Sequence, residues 1–372
     1  MKNLLKTTVC FTTMSLTAIL LPMNVMANEG EAKTITIAWA NIKESQQEIW
    51  EKYIFEPFEE KHPEVTIDFQ CLPDLQNTVR VQVAAGAGPD MFYMDSVDIP
   101  DYASTNRILS LENYRKEYNL DDSMYDWAIR SCLYEDEMYA LPASVEATAM
   151  TYNKNLLDQL GKDVPTNREE FVDVCNAALE AGLIPVSFGY SGLNLLLTWP
   201  YEHYLTCYAG GEKTAQLLKG EITFDDPDIK GAFELLKADW DAGYINDKKS
   251  GAITNDEARI LFANQKAVFN YEGPWLILAD GAAKTWDFEW GQCAWPSMKD
   301  GTPAGSAITL GEAIGINANS QVSDLCMEMM MDFYSNEELM AQAVAEGFST
   351  PAVPIDSAAY PEDMDENIRK AL

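Results

Sequence analysis

An open α/β protein of two lobes is the fold class this chain predicts, on three observations. Segments with strand and helix periodicity alternate from residue 33 onward, the pattern of βαβ units. The run Met91–Met94 is continuously apolar, as a strand buried on both faces of a parallel sheet must be. At 372 residues the chain is also long enough for two lobes, each with its own core.

Taken in order, "KTITIAWAN" alternates Ile35, Ile37 and Trp39 and predicts the first strand. Ser45 caps a helix that carries Ile49, Tyr53, Ile54 and Phe58 and ends around Pro63. "VTIDFQ" alternates Val65, Ile67 and Phe69, a second strand. Pro73 opens a helix through Val79 and Val83 that stops at Gly86 and Gly88, just before the apolar run. Farther along, "MYALPASVEATAMTYNK" predicts a strand around residues 147–152 and a helix start at Asn153. "REEFVDVCNAALEAG" is an amphipathic helix closed by Gly182, and "IPVSFG" a short buried strand. "FDDPDIKGAFELLKADWDAGYI" reads as helix, "EARILFANQKAVFNYEG" as helix then strand. "AITLGEAIGINANS" ends in a strand and leads into the long helix "QVSDLCMEMMMDFYSNEELMAQAV", whose methionines read as adaptable core side chains. There is no internal repeat and no low-complexity linker, so strands rather than a flexible tether join the lobes.

The stretch "AAGAGPDMFYMD" raises the question of a nucleotide site, because glycine-rich loops often cradle phosphate. A phosphate loop runs strand, glycines, helix, so that the free N–H groups of the helix start hold the anion. Here the order is helix, glycines, strand, and no GK[ST] follows. The glycines therefore close a helix, where glycine commonly ends the last turn.

The amino terminus has the pattern of an export signal. Lys2 and Lys6 precede a mostly apolar stretch over residues 9–25, and "VMA" places small Ala27 before a cut ahead of Asn28. The stretch is short and broken by threonines, Ser15 and Pro22, which argues against a membrane anchor. Val9 is not a small residue, so Cys10 is not read as a lipidation site. A signal peptide over residues 1–27 and an exported, periplasmic or cell-surface protein are the expectation. Asp and Glu number 59 against 26 Lys and Arg, a net charge of −33, and cleavage would remove two lysines and no acid. Nucleic acid and anionic membrane surfaces, which need clustered Lys and Arg, are excluded as partners. Cys71, Cys132, Cys175, Cys207, Cys293 and Cys326 lie far apart with no CxxC, so neither a disulfide scaffold nor a zinc knuckle is indicated. With only His62 and His203, no metal site and no cofactor are expected.

Several segments, in order, resemble the extracellular solute-binding proteins of carbohydrate uptake, the maltose-binding-protein type. They are "AAGAGPDMFYMD", "ALPASVEATAMTYNKNLLDQLG", "VPTNREEF", "LTWP", "LFANQKAVFNYEGPW", "GEAIGINANS" and "EGFSTPAV", and together they span most of the chain after the signal. The resemblance implies a two-lobed periplasmic-binding-protein fold (type II), each lobe an open mixed β-sheet flanked by helices with a ligand cleft between. It implies crossing strands near residues 140–146 and again near 317–320. Lobe 1 is then 33–140 plus 276–318, and lobe 2 is 141–275 plus 319–372. It also implies a monomer, a carbohydrate (an oligosaccharide) as ligand, and the permease subunits of an ABC importer as partner. Members usually continue for several tens of residues of helix beyond the equivalent of Leu372.

Ligands of open α/β sheets sit beyond the carboxyl ends of the strands. That rule selects Trp39 and Asn41 after the first strand and Asp95 after the apolar run. Glu146 lies at the crossover, Trp275 just past "AVFNYEG", and Glu312 in a glycine turn entering "AIGIN". The residue types suit a sugar: carboxylates accept from neighbouring hydroxyls, and aromatic rings cover the C–H face. In the resembling proteins the Gly-Pro-Trp ring at Trp275 stacks on sugar, Glu146 matches a sugar-binding glutamate, and Trp199 in "LTWP" matches a cleft segment. Each has a rival role: core packing for Trp199 and Trp275, closing the sheet for Trp39, a helix cap for Asp95, a hinge salt bridge for Glu146, and a solvated turn for Glu312. Two other functions remain open. The same fold could bind a polyamine or other small cation, for which acids and aromatics serve equally well. A secreted glycosidase with paired carboxylates is the enzymatic alternative, although GxSxG, CxxC and GK[ST] are all absent.

Overall fold

The computed structural model describes residues 32–40, 42, 44–189, 201–246, 253–273, 276–277, 285–305 and 307–371. Its strands are β1 Lys33–Ala40, β2 Val65–Leu72, β3 Met91–Met94, β4 Leu133–Tyr134, β5 Glu137–Met138, β6 Ala140–Asn153, β7 Ile184–Ser187, β8 Ala267–Glu272, β9 Trp290–Cys293 and β10 Ala307–Ile316. The main sheet runs β2-β1-β3-β10-β6-β8-β7, with β9 also on β6, while β4 and β5 form a separate hairpin.

The first part is built as the apolar alternation dictates. β1 pairs in parallel with β2, Ile35 beside Ile67 and Ile37 beside Phe69, and in parallel with β3 on its other side. The connecting helical run carries a π turn at Glu51–Phe55 between Glu44–Trp50 and Glu56–Lys61. Pro57 explains it, since proline has no N–H to continue the regular ladder. The helix Leu75–Ala84 ends at Gly86 and Gly88, whose φ angles of 76° and 108° suit glycine alone, and β3 begins immediately after. The glycine pair is thus a helix terminator, as its order in the sequence requires.

Two strands carry the chain between the halves. β6 is 14 residues long. Its first part pairs antiparallel with β10 from Ala140 to Thr148, and its last residues pair with β8 and β9. β10 in turn pairs antiparallel with β3, so each half has a mixed sheet. The second crossing is therefore β10 itself, not residues 317–320; there the chain turns, with Asn317 N–H bonded to Asp90 O at 2.8 Å.

Two large cores lie on either side of these strands. One gathers β1, β2, β3 and the start of β6, and the other gathers the helix Arg168–Glu180, β7, β8 and Trp295. The expected lobe boundaries need two corrections. The helices Ser323–Tyr334 and Glu337–Glu346 pack on the first core, where Met327, Met330 and Phe333 join Ile54 and Phe58. Lys61 bridges to Glu328 at 2.8 Å and Asp332 at 2.9 Å, and Lys52 to Glu346 at 2.8 Å, fixing these helices against Glu44–Lys61. Conversely, Leu276, Ile277, Phe288 and Trp290 pack with Phe262 and Ala267 beside β8, in the second half. The last residues span both halves: Tyr360 packs on Ala341 and Val344, and Ile368 on Phe262 and Trp290.

The cysteines Cys71, Cys132, Cys175, Cys207, Cys293 and Cys326 are all free, four of them buried. Burial pushes the Cys293 thiol up to about 12. Among the described residues no helix is long and apolar enough to cross a membrane.

Candidate functional site

The crossing strands bring three carboxyl groups together where β3 ends. In register, Glu312 stands opposite Ser144 and Ala313 opposite Met94, so Glu312 is next to the β3 end that leads into Asp95. Glu146 lies two residues past Ser144 on the same face of β6, because side chains of a strand repeat every two residues. Gly311 is skipped by the pairing, a bulge in β10. A Cβ there would lie 2.4 Å from Glu146 Cγ and 2.5 Å from its Cδ, so the glycine leaves the space that the Glu146 side chain occupies. Glu312 is therefore a strand residue beside a bulge and not a member of a solvated turn, which corrects the sequence reading. The two glycines of "TLGEAIG" were the misleading signal.

Each carboxyl has a different environment. Asp95 does not cap the helix that follows, for it makes no capping bond. Instead it accepts from Tyr93 Oη at 2.6 Å and from Gln76 Nε2 at 2.5 Å. Burial pushes the Glu312 carboxyl above the ordinary range, offset in part by Ser349 and Trp39, while the Oγ of Ser144 on the facing strand is buried with no hydrogen-bond partner among the described residues. Glu146 forms no ion pair among the described residues, so the hinge salt bridge is absent there. Burial, reinforced by Glu312 and Asp95, pushes it up to about 8. Burial and then the Asp95 charge push the Tyr93 phenol well up, so it stays a donor at any physiological pH.

Aromatic surface surrounds the acids. Trp39 is buried at 1% exposure, its ring 4.6 Å from Trp50 and 5.6 Å from Tyr93. Trp50 in turn meets Phe348 edge-on at 5.3 Å. A small cavity here is lined by Trp39, Ile42, Gln46, Glu312, Phe348 and Ser349. Phe348 and Ser349 are held in place because the next residues dock on β6. Val145 N–H bonds Thr350 O at 2.8 Å, and Ala352 N–H bonds Ala143 O at 3.2 Å.

On the second-half side, Thr148 continues the Glu146 face of β6 and is 3.0 Å from His203 Nε2. His203 stacks on Trp295 at 5.7 Å and meets Tyr271 edge-on at 5.1 Å. Burial holds the His203 imidazole down at about 4, so it carries no charge near neutrality. Asn41, Trp199 and Trp275 lie outside the described residues. Of the sequence candidates, the structure thus brings together Trp39, Asp95, Glu146 and Glu312. Sequence reasoning missed Tyr93, Gln76, Ser144 and Ser349. Tyr93 was findable, since it shares the face of Asp95 by the two-residue repeat; Ser349 comes from a distant segment and carried no local signal.

No Lys or Arg among the described residues pairs with these acids. Arg80, on the helix that carries Gln76, is engaged by Asp98 at 3.0 Å. Nor do any three His, Cys, Asp or Glu side chains among the described residues converge on a common metal position. Among the described residues the arrangement offers carboxyl hydrogen-bond acceptors, while the Trp39 ring is taken up by packing on Trp50 and Tyr93, which is the sheet-closing role rather than an open stacking face. Comparison with known proteins bears on what fills it. The family model for bacterial extracellular solute-binding proteins matches residues 43–338. The chain belongs to this family.

A multiple sugar-binding protein of Streptococcus mutans is 24% identical over 324 residues, covering 79% of this chain and 70% of the relative. A maltotriose-binding protein of Pyrococcus abyssi is 29% identical over 325 residues, covering 82% and 64%. The chain thus spans 64–70% of the length of these two relatives. Among solved structures, a chitin oligosaccharide binding protein superposes with a TM-score of 0.75 at 19% identity, covering 91% of this chain and 86% of the other. A solute-binding protein RafE in complex with raffinose gives 0.70 at 20%, covering 86% and 82%. These structures share the two-lobed, mixed-sheet fold of this solute-binding protein.

Proposed function

We propose that this solute-binding protein captures a neutral carbohydrate, an oligosaccharide, between its two halves and delivers it to the permease subunits of an ABC importer. The observation that carries the reading is the group Asp95, Glu146 and Glu312, set among Trp39, Tyr93 and Phe348 where the crossing strands leave the first sheet. Hydrogen-bonding carboxyls are what a pyranose requires for its hydroxyls. Relatives named for sugars support the same ligand class. Asn41, Trp199 and Trp275 complete the set of proposed contacts, Trp275 stacking on a sugar ring.

Capture works through the hinge. A ligand that touches both halves favours the closed form only by its difference in affinity for closed and open states. The protein acts in this reading as an exported, monomeric binder without catalytic chemistry. Its amino-terminal segment serves as the export signal.

A thermal-shift panel of mono- and oligosaccharides and polyamines on the chain without residues 1–27 tests this. A sugar present at about a hundred times its dissociation constant should add about 2.7 kcal/mol to stability and raise Tm visibly. If a polyamine shifts Tm and no sugar does, the carbohydrate reading fails. Turnover of an oligosaccharide on prolonged incubation would remove the claim that the protein only binds.

A further inference from the structure

We propose that Gln76 is a specificity-determining residue of the site: its amide holds one oxygen of Asp95, and its remaining N–H donates to the sugar hydroxyl whose own proton goes to Asp95. The inference rests on the carbohydrate reading for its ligand and on hydrogen-bond geometry for the residue.

Gln76 lies in the first turn of the helix Leu75–Ala84, which follows β2, and Asp95 directly follows β3. Both strands run parallel to β1, so their carboxyl ends lie on one edge of the sheet. That edge is where open α/β sheets bind ligands, and a helix that leaves a strand starts there. The two side chains meet across 19 positions of sequence, Gln76 Nε2 donating to Asp95 Oδ2 at 2.5 Å. The amide serves this contact and not its own helix. Asp74 at the helix start makes no capping bond, and it is Asn77 that reaches back to it, Nδ2 to Oδ1 at 2.9 Å.

Asp95 takes one donor on each oxygen, Tyr93 Oη on Oδ1 at 2.6 Å and Gln76 on Oδ2. A carboxylate offers about four lone-pair sites, so two remain for a ligand. Tyr93 is in turn packed against buried Trp39, their ring centroids 5.6 Å apart, so the carboxylate is clamped from both sides. Gln76 is exposed and makes no other hydrogen bond among the described residues, which leaves its second N–H open to a ligand. The carboxylate also sets the orientation of the amide, because Oε1 turned toward it would put two acceptors face to face. Arg80, one turn farther along the helix, is engaged by Asp98 at 3.0 Å and forms no bond to Asp95.

Side by side, the two groups present an acceptor and a donor. A hydroxyl satisfies both, since it donates its proton and accepts on its oxygen. An ammonium has protons only and leaves the Gln76 N–H without a partner. A hydroxyl bonded in both directions is polarised, and each bond strengthens the other. The pair therefore favours sugars over polyamines in a site whose acids would otherwise attract cations.

Titration calorimetry of the chain without residues 1–27 tests this, using the sugar that gives the largest thermal shift and, separately, spermidine. Gln76→Met keeps the side-chain length and removes both polar atoms. It should lower sugar affinity about tenfold and leave spermidine binding no weaker. Its chemical-denaturation midpoint should stay at the wild-type value, since Gln76 is exposed. Asp95→Ala should also weaken the sugar, and adding Q76M to it should lose less than Q76M alone, because the two side chains grip one hydroxyl. Wild-type sugar affinity in Q76M, or losses that simply add in the double variant, overturns the proposal and leaves the carbohydrate reading standing. Equal loss of sugar and spermidine in Q76M overturns it as well, for the amide then only orders Asp95. If no sugar binds the wild type, the carbohydrate reading fails and the role of Gln76 fails with it.

Discussion

Gly311→Ala is expected to weaken ligand binding by about ten- to a hundredfold while leaving the fold intact. The added methyl would sit 2.4 Å from Glu146 Cγ, 2.5 Å from Cδ and 2.8 Å from Oε1, closer than real Cβ contacts come. The backbone at 311 has no positive φ, so alanine adds no conformational strain of its own. What must yield is the Glu146 side chain, which swings out of the space between β6 and β10. A carboxyl displaced from its partner forfeits hydrogen bonds worth about 1.5–3 kcal/mol, equivalent to roughly one to two decades in Kd. Strand pairing around the bulge persists, so stability should change by only about 1 kcal/mol. Titration calorimetry of the G311A chain, paired with a chemical-denaturation curve, reads both numbers. Unchanged affinity would show that Glu146 does not contact the ligand. A collapse of stability would show that the glycine serves the bulge alone.

That expectation could not have been drawn from the sequence, and the reason is physical. Period-two alternation in β1 and the apolar run in β3 announce themselves locally, because they record how one strand meets one core. So does the order of helix, glycines and strand around Gly86 and Gly88, where a positive φ demands glycine. A bulge is different. Its glycine is spelled like a turn glycine, and only the pairing of β10 with β6 shows that Gly311 lies within a strand and clears room for Glu146. Partnership between distant segments is likewise unspelled. The stripe of Met327, Met330 and Phe333 says that a helix is amphipathic, not that Ile54 and Phe58 lie beneath it. Asp95, Glu146 and Glu312 were legible as strand-end and crossover acids. Their meeting, and the donors that Ser349 and Gln76 bring to two of them, depended on contacts hundreds and tens of residues apart.

Asp239→Ala should destabilise the second half by about 3 kcal/mol without altering sugar affinity. Asp239 is 1% exposed on the helix Pro227–Ala242 and binds two other helical segments at once. Arg168 reaches it through both terminal nitrogens, Nη1 to Oδ2 and Nη2 to Oδ1, each at 2.5 Å. Tyr204 donates to Oδ2 at 2.5 Å from full burial. Removing the acid strands a guanidinium and a phenol together. Breaking a buried pair in this way typically costs about 3–5 kcal/mol, and the lower figure applies because the Arg168 side chain retains 27% exposure and finds some water. Arg168→Ala should cost more, since it leaves a fully buried carboxylate with only the Tyr204 hydroxyl. The double variant should cost less than the two singles summed, because the second removal takes away a group already left unpaired. Thermal unfolding of the four proteins measures that coupling. A loss below about 1 kcal/mol for D239A would mean that water enters and replaces the carboxylate. Equal losses in sum and in the double variant would mean that Arg168 and Asp239 do not act as a unit. The site acids depend on hydrogen bonds at the crossing strands, and Asp239 holds helices on the far core, so binding and stability should separate cleanly between G311A and D239A.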